Sequence, residues 1–189
     1  MSHPKTAMLI IDMMNKMDFD GGEDLLTNTL PMVDRLVALK NRVKEAGIPV
    51  IYVNDNFGQW QDNAENIIEE CRKKPGKEVI EKILPDEDDY FIIKPKHSGF
   101  FGTQLDILLH QLGIDNLILT GIAGNICVLF TANDAYMREY KLYVPKDCMA
   151  SEKDSDNDNA IQIIKRSLMA DTTPAAELDL KKIEEKNHA

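Results

Sequence analysis

Short, continuous runs of apolar residues alternate along this chain with longer stretches in which apolar residues recur at helical spacing. The short runs are typical of strands buried on both faces, and the longer stretches predict amphipathic helices. The predicted strands cover residues 7–11, 49–53, 90–93, 117–119 and 140–144. Because strands and helices alternate, we expect a three-layer α-β-α sandwich, with helices on both faces of a mostly parallel sheet of about six strands. No repeat or low-complexity linker interrupts the pattern, so residues 1–189 are interpreted as a single domain.

Capping residues and glycines predict where several helices begin and end. Thr29 is expected to cap the first helix, with Pro31 in its first turn and Gly47 as its stop. Asp158 is expected to start a later helix, and residues 170–172 are expected to form a short last strand. Loops are predicted at residues 18–28 and 147–151.

Composition and charge narrow the classes of function. The net charge of −10 argues against binding nucleic acid or an anionic membrane through a basic surface. No apolar stretch is long enough to span a bilayer, so no membrane partner is expected. The three cysteines, Cys71, Cys127 and Cys148, show no CxxC spacing, which indicates a reducing compartment and a cytoplasmic location.

The segment 116–140 carries the first candidate for chemistry. A short apolar run is followed by a turn with two glycines, Gly121 and Gly124, and then by a helical pattern with Cys127 in its first turn. The carboxyl end of a strand and the amino end of a helix form the place where open α/β sheets bind ligands. The helix dipole also favours ionisation of a thiol there. The alternative is that Cys127 is a small buried residue of the core, which is common for free cysteines.

An acid and a cation end two other predicted strands. Asp12 follows the run 7–11, and Lys94 follows the run 90–93. Parallel strands point their carboxyl ends to one edge, so both side chains could meet Cys127 there. The carboxylate would accept the thiol proton, and the ammonium would favour the thiolate that attacks a carbonyl. A turn or capping role for Asp12, and a solvated surface charge for Lys94, are the alternatives.

Three motifs, in this order, resemble the isochorismatase-like cysteine hydrolases, a family that includes nicotinamidases, N-carbamoylsarcosine amidase and ureidoacrylate hydrolases. They are Leu-Ile-Ile-Asp at residues 9–12, Lys-Pro-Lys-His-Ser-Gly-Phe-Phe-Gly-Thr at 94–103, and Gly-Ile-Ala-Gly-Asn-Ile-Cys-Val at 121–128 followed by Thr-Ala at 131–132. The resemblance runs from Met8 to about Leu168 and implies a Rossmann-like α/β fold.

The resemblance also implies a role for each matching residue. It makes Cys127 the nucleophile, Asp12 the general base and Lys94 the group that orients the acid and stabilises charge. It implies a cis peptide bond between Ile122 and Ala123. The backbone N–H groups of Ala123 and Cys127 are then the expected donors to the oxyanion of the tetrahedral intermediate.

Departures from the family pattern bear on the substrate. The family often reads Asp-Met-Gln-Asn-Asp-Phe at the first motif, where this chain has Asp-Met-Met-Asn-Lys-Met at residues 12–17. Nicotinamidases carry an Asp-x-His metal motif, where this chain has Asp-Asn-Phe at 55–57, so no metal or cofactor is expected. The residues expected to contact the substrate are Phe57, Phe100, Asn15 and Ile122.

These features predict a metal-independent cysteine hydrolase of small carboxamide, carbamoyl or ureido compounds, with an acyl-enzyme intermediate. Two alternatives stay open: an isochorismatase-type vinyl ether hydrolase, in which Asp12 supplies a proton, and a non-catalytic interaction module on the same fold. By resemblance, we also expect a homo-oligomer, a dimer or a tetramer, in which a neighbouring chain closes the pocket. Residues 57–89 or the last helix are the segments expected to do this. His97 is interpreted as a surface or packing residue rather than a substrate contact. Trp60 is either a lid residue or an interface anchor.

Overall fold

The computed structural model of this chain describes residues 4–61 and 63–185. The strands of these residues are β1 (Thr6–Ile11), β2 (Val50–Asp55), β3 (Tyr90–Lys94), β4 (Asn116–Ile122), β5 (Lys141–Tyr143) and β6 (Met149–Ala150). The helices are α1 (Gly22–Glu45), α2 (Ala64–Cys71), α3 (Lys77–Lys82), α4 (Leu105–Leu112), α5 (Leu129–Met137), α6 (Asp154–Arg166) and α7 (Leu180–Glu185). A π-helical turn, Gly124–Val128, leads into α5, and a 3₁₀ turn, Ala175–Glu177, precedes α7.

The described strands form one parallel sheet in the order β3-β2-β1-β4-β5, with β6 paired to β4. The chain therefore builds the sheet outward from β1 in both directions. Strand order reverses between β1 and β4, and the carboxyl ends of strands next to such a reversal leave a crevice in which ligands bind. The prediction of a mostly parallel sheet of about six strands is confirmed.

The sheet separates two hydrophobic cores. Met8 and Ile10 of β1 face one core, and Leu9 and Ile11 face the other, and all four are fully buried. Helices α1, α2, α3 and α7 contribute apolar residues to the first core, and α4, α5 and α6 contribute to the second. Burial on both faces explains why β1 reads as a continuous apolar run rather than as an alternating one. The three-layer arrangement is confirmed.

The start of the first helix was predicted wrongly. Helix α1 begins at Gly22, so that residues 22–28 are helical and Thr29 is not its cap. Thr29 is buried within the helix, and its hydroxyl donates a hydrogen bond of 2.7 Å to the carbonyl of Leu25. Pro31 lies inside the helix, not in its first turn. The early start buries Leu25, and two acidic residues occupy the first turn, where the helix dipole favours negative charge.

Predictions near the end of the sheet were wrong in detail. Helix α6 begins at Asp154 instead of Asp158, again with acidic residues in its first turn. The predicted loop 147–151 contains β6, and the predicted strand at 170–172 is a single bridge between Asp171 and Tyr143. Pairings of one or two residues leave no periodic signal in a sequence, because they depend on a neighbouring strand. No helix among residues 4–61 and 63–185 is long and apolar enough to cross a membrane.

Candidate active site

Three parallel strands deliver the predicted catalytic residues to one edge of the sheet. Asp12 directly follows β1, Lys94 is the last residue of β3, and Cys127 lies in the π-helical turn that follows β4. The register aligns these ends, because Ile11 of β1 pairs with Gly121 of β4. The sheet therefore brings together three residues that are far apart along the chain.

The side chains of Asp12, Lys94 and Cys127 contact one another. The ammonium nitrogen of Lys94 lies 2.9 Å from Oδ2 of Asp12 and 3.5 Å from Sγ of Cys127. The Asp12 carboxylate and the Cys127 thiol also lie close enough to shift each other's pKa. Lys94 is fully buried and Asp12 nearly so, whereas Cys127 is partly exposed. The thiol is thus the member of the triad that solvent can reach.

The loop that carries Asp12 is held to the neighbouring strand. The Asp12 Oδ1 atom accepts a hydrogen bond of 2.7 Å from the backbone N–H of Asp55, at the end of β2. The side chain of Asn54 is buried and exchanges two hydrogen bonds with the backbone of Met14, at 3.0 and 2.9 Å. The second oxygen of Asp12 is thereby left to Lys94 and the thiol.

A second carboxylate reaches Lys94, which sequence reasoning missed as part of this site. Oδ2 of Asp55 lies 3.5 Å from the Lys94 ammonium, and Oδ1 of Asp55 accepts a hydrogen bond from the N–H of Phe57. The carbonyl of Lys96 accepts from the same ammonium at 3.2 Å. The one signal in the sequence was that Asp55 ends a strand, as Asp12 and Lys94 do.

Burial controls the ionisation of the triad. Desolvation raises the pKa of Asp12 above its usual value, although the nearby Lys94 ammonium opposes the effect. Desolvation also raises the pKa of the Cys127 thiol, and the negative charge of Asp12 raises it further. Desolvation alone would lower the pKa of Lys94, but the negative charge of Asp12, which contacts its ammonium, raises it instead. Lys94 therefore stays positively charged.

The expectation that the helix start makes the Cys127 thiol easy to ionise is wrong for the free protein. Cys127 lies in a π-helical turn ahead of α5, and one of its closest neighbours is a carboxylate rather than only helix N–H groups. Two anions in one desolvated site oppose each other, so the proton stays on sulfur in the free protein.

The turn between β4 and α5 requires glycine at Gly121. Its φ of +113° lies outside the range that residues with a side chain adopt, and a Cβ there would collide with the backbone of Ile11. The peptide bond between Ile122 and Ala123 is cis, at the position that the resemblance implied. The carbonyl of Ala123 accepts hydrogen bonds from the N–H groups of Ile126 and Val128, which start the helical turn.

The expected oxyanion donors lie on this turn. Ala123 directly follows β4 and precedes the π-helical turn. Cys127 follows four residues later within the same turn. Their role in binding an oxyanion stays a prediction.

Strand β6 and helix α6 support the turn from behind, a feature that sequence reasoning missed. The backbone N–H of Asn125 donates to the hydroxyl of Ser151, which in turn donates to Oδ1 of Asn157, each at 3.1 Å. A Cβ on Gly124 would collide with that same Asn157 oxygen. Ser151 is buried, and this partly buried chain of hydrogen bonds holds the turn in place.

Two of the four predicted substrate contacts are parts of the cores. Ile122 is fully buried in the core on the α1 side of the sheet. Phe100 belongs to the other core, with its ring centroid 6.0 Å from that of Tyr140 and 4.6 Å from the guanidinium carbon of Arg138. A direct contact of either residue with substrate stays a prediction.

The other two predicted contacts are half-buried. Phe57 has a left-handed backbone, and the Lys16 ammonium lies 5.4 Å from its ring centroid. The side-chain oxygen of Asn15 accepts a hydrogen bond from the N–H of Met17, which shapes the loop after Asp12. Their contact with substrate also stays a prediction. Trp60 is 82% exposed, and its role is likewise untested.

His97 lies next to the reactive sulfur, which the sequence interpretation did not favour. Its Nδ1 atom is 3.8 Å from Sγ of Cys127, and its ring packs edge-on against Phe130 with centroids 5.5 Å apart. His97 is exposed. The only signal for this position was its place three residues after Lys94 in the second motif.

The carboxylates of this chain that could hold a metal have lysine partners. One group of three potential ligands is found among residues 4–61 and 63–185, namely Asp86, Asp88 and Asp89. The ammonium of Lys44 lies 2.5 to 3.0 Å from a carboxylate oxygen of each. At the position of the nicotinamidase metal motif, Asp55 faces Lys94.

Comparison with known proteins identifies the family. The model of the isochorismatase domain matches residues 6–177. This chain belongs to the isochorismatase family. The resemblance inferred from the three motifs is thereby confirmed, and the chain is an isochorismatase-family hydrolase.

Relatives within the isochorismatase family span most of the chain. The uncharacterized isochorismatase family protein YaaI of Bacillus subtilis is 49% identical over 173 residues, which cover 92% of this chain and 96% of YaaI. The ureidoacrylate amidohydrolase RutB of Serratia proteamaculans is 32% identical over 163 residues, which cover 72% of this chain and 66% of RutB.

Solved structures of the family share the fold. N-carbamoylsarcosine amidase from Thermoplasma acidophilum is 30% identical with a TM-score of 0.72, covering 93% of this chain and 99% of that one. The nicotinamidase SaPncA from Staphylococcus aureus is 27% identical with a TM-score of 0.69, and the match covers 90% of this chain and 99% of SaPncA.

Proposed function

We propose that this chain is a metal-independent cysteine hydrolase that acts on small carboxamide, carbamoyl or ureido compounds. The observation that carries the proposal is the contact of Asp12, Lys94 and the partly exposed Cys127 at one edge of the sheet. The names of RutB, an amidohydrolase of ureidoacrylate, and of N-carbamoylsarcosine amidase support the same class of substrate.

The first half of the reaction forms a thioester. The Cys127 thiol gives its proton to Asp12 as sulfur attacks the carbonyl carbon, and the carbonyl electrons move to oxygen. Backbone N–H groups of Ala123 and Cys127 bind the resulting oxyanion. When the carbonyl re-forms, the carbon–nitrogen bond breaks, and Asp12 returns the proton to the departing nitrogen. The product is ammonia or an amine, with the acyl group on sulfur.

The second half releases the acid. Water attacks the thioester while Asp12 takes its proton, and collapse of the second tetrahedral intermediate breaks the carbon–sulfur bond. The thiol regains its proton and the carboxylic or carbamic acid leaves. Because burial raises the pKa of Asp12, this carboxylate is a stronger base than an ordinary aspartate. Lys94 stays charged throughout and balances the negative charge that moves between sulfur and carboxylate.

Replacement of the nucleophile tests the proposal. We expect Cys127→Ala to lower ammonia release from a panel of small carboxamides and ureido compounds by at least about 10³-fold, because no acyl-enzyme can form. The matched control is Cys148→Ala, which removes a fully buried thiol whose pKa burial raises to about 12 and should leave hydrolysis unchanged. Hydrolysis that continues at the wild-type rate in Cys127→Ala would exclude the mechanism.

Ether hydrolysis of the isochorismatase type is a second candidate, favoured by one observation. A carboxyl group whose pKa is raised by burial can hold a proton and donate it to an ether oxygen. In that reaction Cys127 takes no part. Turnover of isochorismate that is equal in the wild type and in Cys127→Ala, and lost in Asp12→Asn, would select this candidate. A wild-type protein that hydrolyses neither class would instead indicate a non-catalytic interaction module.

A further inference from the structure

The surroundings of the Cys127 sulfur are divided into a buried side and an exposed side. Asp12 and Lys94 occupy the buried side, with side chains 6% and 0% exposed. On the exposed side, His97 places Nδ1 at 3.8 Å from the sulfur. A molecule that enters from solvent cannot approach through the buried pair. It therefore reaches the sulfur beside the imidazole ring of His97.

The loop that carries His97 is held on both sides of this residue. Before it, the carbonyl of Lys96 accepts a hydrogen bond from the Lys94 ammonium at 3.2 Å. After it, the buried hydroxyl of Ser98 donates to the carboxylate of Asp134 on α5. The ring itself packs against Phe130 of the same helix. The imidazole is thus positioned over the sulfur by its neighbours rather than left as a mobile surface group.

The chemistry of the ring fits a carboxamide. A neutral imidazole offers one hydrogen-bond donor and one acceptor, and an amide or ureido group offers the complementary N–H and C=O. A reacting carbon lies about 3–3.5 Å from the attacking atom, so its polar substituents come within hydrogen-bonding reach of a ring at this distance. The Asp55 carboxylate lies at the same edge of the sheet but fits this role less well. While ionised it can only accept hydrogen bonds, and it already binds Lys94 and the N–H of Phe57.

We propose that His97 binds the substrate through a hydrogen bond to the polar group that flanks the carbon attacked by Cys127. It thereby selects carboxamide and ureido compounds over apolar electrophiles of similar size. The proposal rests on the proposed function, since it assumes that Cys127 is the attacking atom. It assigns His97 a role in specificity, while proton transfer to and from sulfur stays with Asp12.

Alkylation of Cys127 tests this proposal without knowledge of the substrate. Iodoacetamide carries a carboxamide, and allyl bromide reacts at a similar carbon but has no polar group. In both reactions the sulfur–carbon bond forms, the halide leaves, and the thiol proton passes to Asp12. Mass spectrometry of the intact chain and its peptides gives the rate at Cys127, with the fully buried Cys71 and Cys148 as internal references.

We expect His97→Leu to slow alkylation by iodoacetamide about tenfold, the value of one hydrogen bond, and to change the rate with allyl bromide less than about twofold. His97→Gln keeps a donor and an acceptor near the same place and should restore the iodoacetamide rate to within about threefold of wild type. His110→Leu is the matched control, because His110 is also exposed but lies at the end of α4. It should change neither rate.

Either of two alkylation results would overturn the proposal. An equal loss with both reagents in His97→Leu would mean that the histidine acts on the sulfur itself, and no loss with either would leave His97 a surface residue. Thermal unfolding of each variant checks that the fold is kept. A chain that shows the expected selectivity but hydrolyses no amide would contradict the proposed function alone. Amide hydrolysis that is unchanged in His97→Leu would contradict the inference alone.

Discussion

The position of one proton, on sulfur or on carboxylate, governs the reactivity of Cys127. Desolvation and the charge of Asp12 both raise the pKa of this thiol, and the Lys94 ammonium only partly opposes them. The raised pKa of Asp12 acts in the opposite direction, because it favours the state in which the carboxyl group holds the proton. In the proposed mechanism the proton moves as sulfur attacks the substrate, and a protonated thiol in the free protein resists oxidation.

The ionisation of Cys127 can be measured directly. Because its pKa is raised, ionisation moves to higher pH, and the thiol should remain protonated at about pH 8.5, where an ordinary cysteine is half ionised. The ultraviolet absorbance of thiolate, taken as wild type minus Cys127→Ala, should therefore stay flat from neutral pH through that value. A difference signal already present at neutral pH would indicate a thiolate–Lys94 ion pair in the free protein.

Loss of the Lys94 ammonium should lower activity strongly, because it contacts both Asp12 and the Cys127 sulfur. We expect Lys94→Met to lower kcat/KM about 10²–10³-fold, because the variant loses a charged donor to both Asp12 and sulfur in a buried site. Lys96→Met is the control, since the site uses the backbone carbonyl of Lys96 and its side chain is exposed. A loss smaller than tenfold in Lys94→Met would contradict the role assigned to the ammonium.

At the scale of elements, the site depends on how closely two strand ends approach. Gly121 pairs with Ile11, and this pairing sets the distance between the residue after β1 and the turn after β4. Strand β6 and Ser151 then support the turn through the N–H of Asn125. The positions of Asp12 and Cys127 are therefore properties of the sheet and of one turn, and they do not depend on loop flexibility.

Substitution of Gly121 should separate two costs in stability, the steric clash of a side chain with Ile11 and the strain of a positive φ. Gly121→Ala puts a methyl group into the backbone of Ile11 at a φ of +113°, and we expect a loss of more than about 3 kcal/mol in the free energy of unfolding. Gly47→Ala is the matched control, because Gly47 also has a positive φ, +72°, but open space around it. Its cost should be about 1–2 kcal/mol. Urea unfolding measures the free energy of unfolding of both variants. Equal losses in the two would contradict the close approach of Gly121 to the backbone of Ile11.

At the scale of the whole molecule, one buried ion pair joins the first core to the segment before β3. The ammonium of Lys40 on α1 lies 2.7 Å from Oδ2 of Asp89 and hydrogen-bonds the hydroxyl of Tyr52 and the carbonyl of Leu84, each at 3.0 Å. The side chains of Lys40 and Asp89 are 6% and 2% exposed. Each charge also has a second, more exposed partner, Lys44 at 3.0 Å from Asp89 and Asp86 at 3.2 Å from Lys40, so loss of the buried pair is only partly compensated.

Removal of one partner should therefore cost more than removal of both. We expect Lys40→Met to lower the free energy of unfolding by about 2–3 kcal/mol, less than for a fully unpaired buried charge because Lys44 still contacts Asp89, and the double variant Lys40→Met with Asp89→Leu to recover part of that loss. The control is Lys82→Met, which breaks an exposed pair with Asp34 and should change the unfolding midpoint little. Urea unfolding of the wild type, Lys40→Met, Asp89→Leu and the double variant gives the coupling energy, and a double variant less stable than Lys40→Met would contradict the interpretation.

The state of assembly belongs to the same scale. A homo-oligomer, a dimer or a tetramer, remains a proposal that sedimentation velocity tests. Several large apolar side chains of α5 and α6 are exposed in the single chain, including Phe130, Met137 and Ile163.

Much of the fold could be predicted from local sequence patterns. Apolar runs predicted five strands correctly, since a strand buried on both faces has to be apolar throughout. The end of α1 was predicted correctly from Gly47, but its first two turns were not, because Thr29 and Pro31 resemble a helix start. The acidic residues that begin α1 and α6 were the better signal, and turn-like residues obscured it.

The chain sequence by itself determined the family, the alternation of strand and helix, and the chemical identity of the triad, because each of these is encoded in neighbouring residues or short motifs. Only the tertiary structure decided that Asp55 shares Lys94, that Ser151 and β6 support the turn, and that His97 lies beside the sulfur. It also reversed the expected pKa of Cys127. Distances between residues far apart in sequence, and the loss of water around them, exist only after the sheet has formed, and these two quantities set both contact and charge.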